Sequence, residues 1–384
     1  MIRCTTARVD LKALESNFKA ISAYLTNESA LNRVAGRGPS IAPGIIAVVK
    51  ANAYGHGARR VAAVLEAAGA TMLAVADIEE GVDLRKSGIR APILVFGALS
   101  VSDLDGVFDH DLTPTISSPA AGHALQDSAA KRGATLHYHL KIDTGMNRLG
   151  FRHDNLRRTL PELLASANLQ LDAVHTHFGA ADEPGTTSFE TQRTRFEAAT
   201  RTLDELGAGP RLRHAANSAA LLRDSRVWFD FVRPGLLLYG LVPPPLGSTV
   251  PLTPVMSLTS RVVAVKGVRV GESVGYGGRF TVDRPVTLAV IPAGYADGLD
   301  RRLEGRGFVL IRGRRARIVG AVSMDMLTVD ATDIEGVGPG DEVVFLGSQG
   351  DMSIDAREMA DWIDTIPYEI LCRLGSRVER KYAR

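Results

Sequence analysis

Between residues 45 and 232 the sequence passes through eight short apolar segments, at 45–49, 72–76, 93–96, 113–116, 136–142, 171–175, 212–215 and 229–232, and each of the first seven is followed by a helix-like stretch. The continuously apolar Ile45–Val49 reads as a strand covered on both faces, the arrangement of a parallel sheet flanked by helices. Eight such alternations within about 200 residues favour closure into a β/α barrel over an open doubly wound sheet. The character changes at Pro243-Pro244-Pro245-Leu246-Gly247-Ser248, which reads as a linker. Beyond it come segments of period-two alternation, at 256–266, 287–291, 308–311, 316–319, 327–330 and 342–346, with one helix near 353–364. The expected fold class is therefore α/β: an N-terminal (β/α)8 TIM-type barrel over residues 11–244, followed by a mainly-β C-terminal domain over 245–384. A length of 384 residues suits two domains, each with its own core. Ahead of the first barrel strand, Leu11, Leu14, Phe18, Ile21 and Leu25 share one helical face with Asp10 placed to cap it. Residues 26–44, rich in Asn, Ser, Gly and Pro, read as a long surface loop.

Composition narrows the function mainly by exclusion. With 45% hydrophobic and 23% charged residues and a net charge of +2, the chain is of ordinary globular make-up. No basic stripe interleaved with aromatics points to nucleic acid. The first residues lack the apolar core of a secretory signal, and no run is long and uncharged enough to span a bilayer, so the expectation is a cytoplasmic protein without a membrane partner. Cys4 and Cys372 alone cannot supply a disulfide framework or a thiolate metal site. There is no glycine-rich phosphate loop followed by Lys-Ser/Thr, no HExxH and no nucleophile elbow. His175 and His177 share one strand face, yet no third ligand stands at a plausible spacing, and no metal is expected. His175 reads instead as a packed, hydrogen-bonded core histidine.

In a barrel, functional side chains gather where strands end at their carboxyl side. The unusual polar residues fall there: Lys50, the run Lys141 to Arg148, His175 and His177, His214 to Ser218, and Arg233. Lys50 closes the apolar run Ile45-Ile46-Ala47-Val48-Val49. Desolvation at such a position favours the neutral amine, a nucleophile able to form a Schiff base with a carbonyl compound or with pyridoxal phosphate. A snorkelling strand-end lysine is the plainer alternative. Taken bare, Arg148 is equally a surface arginine, and Gly275-Tyr276-Gly277-Gly278 equally a turn carrying an aromatic.

The segment AVVKANAYGHGA, residues 47–58, resembles the pyridoxal-phosphate attachment motif of the alanine racemase family, enzymes of the fold-type III class. Further stretches resemble the same family: KIDTGMNRLG at 141–150, HTHFG at 175–179, HAANS at 214–218, VRPGL at 232–236, GYGG at 275–278, IPAGYADG at 291–298, VSMDM at 322–326, PYEIL at 367–371 and SRVERKY at 376–382. The likeness runs from Ala7 to Tyr382, and the 26–44 segment departs from it outside the motifs. It implies a homodimer with shared active sites, interconverting L- and D-alanine and supplying D-alanine for peptidoglycan. Residues 1–10 would be an N-terminal strand packing with the C-terminal domain, whose last segment returns to the barrel.

Residue by residue, the resemblance implies that Lys50 holds the cofactor and acts as base for the D-isomer, while Tyr276, reaching in from the other subunit, acts for the L-isomer. One base on each side of the α-carbon is what inversion requires. A free tyrosine titrates near pH ~10, so cations such as His177, through its link to Arg148, are expected to lower it. Arg148 contacts the cofactor's phenolic oxygen and the substrate, and Lys141 is expected to be carbamylated, turning an acceptor toward that arginine. His177 lies against the pyridine ring. Ser218, Gly235, Leu236 and Tyr368 hold the phosphate, with Asn217 supporting them, and Tyr54, stacked near Tyr368, also binds the cofactor. Arg233 stands beside the pyridine nitrogen, and a permanently charged donor there cannot take the ring proton. The ring is then a poorer electron sink, which suppresses transamination and decarboxylation. Tyr295 narrows the entrance, Met324 meets the substrate carboxylate, and Asp325 lines the approach. Two alternatives stay open on sequence: another enzyme of this class, such as a broad-spectrum or serine racemase or an amino-acid decarboxylase, and a non-catalytic pyridoxal-phosphate-binding protein.

Overall fold

A computed structural model of the chain describes residues 4–36, 39–99, 103–183 and 185–384. Residues 1–3 of the expected N-terminal strand, and Arg37 and Gly38 of the expected loop, lie outside the described residues. The fold separates into two compact units, one holding residues 14–53 and 58–252, the other an N-terminal stretch ending at Ala13 together with 54–57 and 253–384.

The first unit is the barrel. Its strands are β2 (Gly44–Val48), β3 (Met72–Val75), β4 (Ile93–Val95), β5 (Thr113–Ile116), β6 (Leu136–Asp143), β7 (Leu169–His175), β8 (Leu212–Asn217) and β9 (Phe231–Arg233), numbered after β1 (Thr6–Asp10) of the other unit. They pair in parallel in the order β5-β4-β3-β2-β9-β8-β7-β6, and pairing of β5 with β6 closes the ring. The apolar runs are buried as their composition requires: Ile46, Ala47, Leu73, Ala74, Ile93, Leu94, Leu140 and Val174 are wholly inaccessible. Register places polar groups side by side in this interior. Lys141 is opposite His175, and His175 is opposite His214, across three neighbouring strands.

Helix α1 (Leu11–Ala35) begins where Asp10 accepts a hydrogen bond from the Ala13 amide at 2.9 Å. It then continues ten residues into the segment that the sequence suggested was a loop. Thr26 satisfies its hydroxyl on the Ser22 carbonyl within the helix, and Ser29 is buried at 2% exposure. Back-bonding thus absorbs Thr26, the Ser29 hydroxyl is buried without a partner among the described residues, and the helix ends only at Gly36, which takes a left-handed φ of 64°.

Among the described residues, the second unit is built on a ten-stranded sheet. Its strands include β10 (Met256–Arg261), β11 (Ala264–Val268), β12 (Val286–Ile291), β13 (Phe308–Ile311), β14 (Arg314–Val319), β15 (Leu327–Asp330), β16 (Glu342–Gln349) and β17 (Glu379–Ala383), in the order β11-β12-β15-β14-β13-β16-β10-β1-β17. Strand β1 pairs antiparallel with β10 and parallel with β17. The single strand expected over 256–266 is in fact two. Val262 is buried and Val263 is 41% exposed, and there the chain leaves its pairing with β16 and takes up β12 instead.

Candidate active site

Lys50 stands at the carboxyl end of β2, half-buried, and the backbone beyond it is unusual. Ala51, Asn52, Ala53 and Tyr54 have φ of 53°, 53°, 55° and 52°, a left-handed turn made without glycine. Each such residue costs ~1–2 kcal/mol, so the turn persists only where its surroundings hold it. Ala53 donates to the Val49 carbonyl at 2.8 Å, the Asn52 side chain accepts from the Ala58 amide at 2.8 Å, and the Glu80 carboxylate accepts from the Ala51 amide at 2.6 Å. The next residue, Gly55, continues at φ 80°; a Cβ there would lie 2.3 Å from the Leu371 carbonyl oxygen, so glycine alone fits.

Arg233, at the end of β9, is 4% exposed and is held entirely by neutral acceptors. Its guanidinium donates to the carbonyls of Thr176 (2.8 Å) and Ala215 (2.9 Å), to Nδ1 of His214 (2.9 Å) and, at 3.4 Å, to Nδ1 of His177. Burial pulls its pKa down to about 9, which leaves it charged at neutral pH. Because an arginine only donates, Nδ1 of His214 must accept. Its Nε2 therefore carries the proton and donates to Nδ1 of His139 at 3.0 Å. Burial holds His214 well below its ordinary range and His139 down to about 4, so this chain of rings is neutral. His175 stacks on His214 with centroids 4.6 Å apart and planes within 7°. It is packed as expected but not hydrogen-bonded: neither ring nitrogen meets a partner among the described residues.

Lys141 shares this interior at 7% exposure. Burial lowers its pKa to about 8, helped by Arg148, Arg233 and Lys50, with Asp143 a weak counterweight. Among the described residues it makes no ion pair with a carboxylate. Asp143 instead shapes the following turn, one of its oxygens accepting from the amides of Gly145 (2.9 Å) and Asn147 (3.1 Å), and this turn leads to the exposed Arg148. His177 meets Arg233 through its Nδ1, and Arg148 is among the cations that act on the same ring. Burial, then Arg233, holds His177 well below its ordinary range, so it stands there as a neutral ring rather than a cation.

Ser218 opens the short helix Ser218–Arg223, capped by Asn217, whose side chain accepts from the Ala220 amide at 2.9 Å. The Ser218 hydroxyl accepts from the amides of Gly235 (2.9 Å) and Leu237 (3.4 Å), on either side of Leu236. Backbone donors thus converge on one oxygen, the kind of cluster that suits an anion.

In the second unit the rings of Tyr54 and Tyr368 lie 5.9 Å apart, and burial pushes the Tyr54 hydroxyl far above its ordinary value. Tyr276 is 76% exposed between glycines of positive φ. The loop of Tyr295 is tied to that of Met324 by bonds from the amides of Tyr295 and Ala296 to the carbonyls of Ser323 (3.0 Å) and Met324 (3.1 Å). Asp325 pairs with Arg377 at 2.6 Å.

Family models for the N-terminal and C-terminal domains of alanine racemase match residues 9–243 and 255–382. The chain belongs to the alanine racemase family. Among its relatives, the alanine racemase of Symbiobacterium thermophilum is 42% identical over 99% of this chain and 97% of its own length. That of Carboxydothermus hydrogenoformans is 40% identical over 99% of this chain and all of its own. Solved alanine racemases share the fold throughout. The enzyme from a D-cycloserine-producing Streptomyces lavendulae has a TM-score of 0.92 at 34% identity, covering 100% of this chain and 98% of its own. That of Bacillus anthracis with bound L-Ala-P has a TM-score of 0.89 at 35% identity, covering 100% and 96%.

Within this alanine racemase barrel, sequence reasoning overlooked two groups. His139 lies two residues before Lys141 on β6, on the same strand face, a spacing that could have marked it. Glu80 occupies the first turn of the helix Ile78–Lys86, where an acidic residue looks like ordinary capping. No sequence signal ties it to Lys50, 30 positions earlier.

Proposed function

We propose that the chain is a pyridoxal-phosphate-dependent racemase interconverting L- and D-alanine by a two-base mechanism. The observation that carries this reading is Arg233: a buried guanidinium surrounded by carbonyls and neutral histidines, in a chain that matches alanine racemases from end to end. A carboxylate would be expected at that place in an enzyme that exploits a protonated ring.

The residues present fit the cofactor. Lys50 is the amine for its aldehyde, Ser218 with the amides near Gly235 and Leu236 suits its phosphate, and the buried Lys141 and Arg233, with the exposed Arg148 acting on Lys141, supply positive charge for an anionic group. Tyr368 is assigned to the phosphate and Tyr54, whose ring lies near it, to the cofactor, and Asn217 keeps the cradle in place by capping its helix. His177 is assigned to the ring face. When bound, pyridoxal phosphate withdraws electrons from the substrate's α-carbon and so makes its proton removable. Lys50 takes or returns that proton at Nζ on one face, and Tyr276 of the partner subunit does so at Oη on the other, so the configuration inverts. Arg233 would stand at the ring nitrogen as a donor that cannot take up its proton. Arg148 and Met324 position the substrate carboxylate, Tyr295 narrows the entrance and Asp325 lines the approach.

A partner copy is part of the reading. Tyr276, Tyr295, Met324 and Met326 leave large side chains exposed, 76%, 44%, 52% and 49% respectively, on the C-terminal unit, which suits a surface completed by a second chain. Lys141 is placed to be carbamylated, since a buried amine with a pKa near 8 and cationic neighbours gains from becoming an anion. Production of D-alanine for peptidoglycan in the cytoplasm is the corresponding cellular role. No described helix is long and apolar enough to cross a membrane.

Replacing Tyr276 by Phe should leave the visible absorbance of the Lys50-bound cofactor intact and abolish racemisation. Full activity in that variant refutes the two-base assignment. Comparing kcat/KM for alanine, serine, lysine and arginine separates an alanine racemase from a broad-spectrum one.

A further inference from the structure

The left-handed turn after Lys50 is joined to the neighbouring strand end by one side chain. Glu80 lies in the first turn of the helix Ile78–Lys86, where Asp77 caps the helix by accepting from the Glu80 amide at 2.9 Å. A glutamate at this position commonly folds back onto the capping residue's own amide. Here one oxygen reaches past it to the Ala76 amide, at 2.8 Å, just beyond β3. The other accepts from the Ala51 amide at 2.6 Å, the first peptide N–H after Lys50. The carboxylate thus bridges the carboxyl ends of β2 and β3. It grips the residue at which the chain enters the left-handed region, where φ of Ala51 turns to 53°.

This matters because the direction of the Lys50 side chain is set by the backbone on both sides of its Cα. On the strand side that backbone is fixed: the Val48 and Val49 amides donate to the carbonyls of Pro234 (3.1 Å) and Ala74 (2.9 Å), and the Val48 carbonyl accepts from the Tyr239 hydroxyl at 2.9 Å. On the far side stands a conformation that alanine and asparagine leave readily once released. We propose that Glu80 is a positioning residue for Lys50: its bridging carboxylate holds the left-handed turn and thereby fixes the place from which the amine meets the cofactor and the substrate proton. The proposal rests on Lys50 carrying the cofactor. A carboxylate suits the task because a charged acceptor makes a stronger bond to an amide than a neutral one and has two oxygens to share. It touches neither cofactor nor substrate in this role, so its effect belongs in turnover rather than in substrate binding.

The test uses the cofactor-loaded enzyme with Glu80→Gln, Ala51→Gly and the two combined. Glutamine keeps the shape but has a single accepting oxygen, so one of the two amides loses its partner. Glu80→Gln is expected to lower kcat in both directions about tenfold or more, the effect of losing a charged hydrogen bond, with KM for alanine changed by less than about twofold. It should also slow borohydride trapping of the cofactor on Lys50 and speed deuterium exchange in the peptide covering 49–54. Glycine takes the left-handed conformation without steric cost, so Ala51→Gly in the Glu80→Gln background should restore part of the lost kcat. A purely structural role for Glu80 gives no such rescue, and its absence overturns the proposal. Unchanged kcat in Glu80→Gln, or a rise in KM at constant kcat, also overturns it. So does an Ala51 amide that exchanges in the unaltered enzyme as fast as an open loop, a result that does not depend on any variant folding. Failure of borohydride to label Lys50 in the unaltered enzyme overturns instead the underlying assignment of Lys50.

Discussion

Gly294 has φ −149° and ψ −164°, an extended conformation that any residue adopts, so a substitution there tests contact rather than backbone strain. A Cβ at this position would lie 2.3 Å from the Ser323 carbonyl oxygen, 2.4 Å from that of Met324 and 2.5 Å from the Met324 carbonyl carbon. All three are backbone atoms, so no side chain can rotate away. Relief requires the 292–298 loop and the 323–326 turn to part by more than half an ångström, which stretches the bonds from the amides of Tyr295 and Ala296 to those same two carbonyls. Overpacking of this kind costs about 1–3 kcal/mol, and two weakened hydrogen bonds add about 1 kcal/mol each. Gly294→Ala should therefore destabilise the C-terminal unit by roughly 3–5 kcal/mol. Gly267→Ala provides the control, since Gly267 lies in β11 with open space where its Cβ would go, and no loss beyond about 0.5 kcal/mol is expected there. Urea denaturation read by intrinsic fluorescence measures both. Because Tyr295 and Met324 ride on the separated loops, kcat/KM for alanine should fall with stability in Gly294→Ala and stay unchanged in Gly267→Ala. Equal denaturation midpoints for the two variants would refute the reasoning, since the only difference invoked is what each new methyl meets.

Removing the acceptor behind Arg233 by His214→Phe should cost about 2–3 kcal/mol in denaturant, because a buried guanidinium N–H is left unpaired; a neutral result would mean that the ring chain does not hold the arginine. For Lys141 the sign follows from burial. The folded chain takes up this proton only near pH 8 while the unfolded chain does so at the ordinary lysine value, so an unmodified enzyme gains stability as pH rises between those values and carries a constant penalty below 8. Added bicarbonate should raise the denaturation midpoint at neutral pH and add the mass of one carbon dioxide, and Lys141→Met should abolish both responses. Asp300 is held well below the usual carboxylate range by Arg302 first and by Arg373. Its contribution is therefore present above the ordinary aspartate value and is lost as pH falls through and below it. Asp300→Asn should flatten the acid limb of the stability profile below pH ~4, and an unchanged limb would rule the pairing out as a source of stability.

The sequence carried the barrel because burial on two faces leaves a plain mark: runs such as Ile45 to Val49 have no polar residue to spare, and each of the eight segments contributes a strand to the ring, the last only from Phe231 onward. It was less informative where polar residues can satisfy themselves locally. Thr26 looks like a loop residue and sits in a helix because its hydroxyl bonds back to the Ser22 carbonyl. Val262 and Val263 look like one strand's interior and mark the change from one sheet neighbour to another.

For the candidate site the division is similar. The residue types at strand ends, and their likeness to the alanine racemase motifs, were determined by the sequence alone, because each motif is a contiguous stretch whose chemistry can be read in place. Which neighbour each polar group meets was decided by strand register. Lys141, His175 and His214 lie level across three strands, His177 meets Arg233, and Glu80 comes to the peptide after Lys50. Hydrogen bonds and charge coupling act over a few ångströms of space, and parallel crossovers bring together residues tens of positions apart. The partners, protonation states and backbone conformation that tune the lysine therefore exist only once the ring has closed.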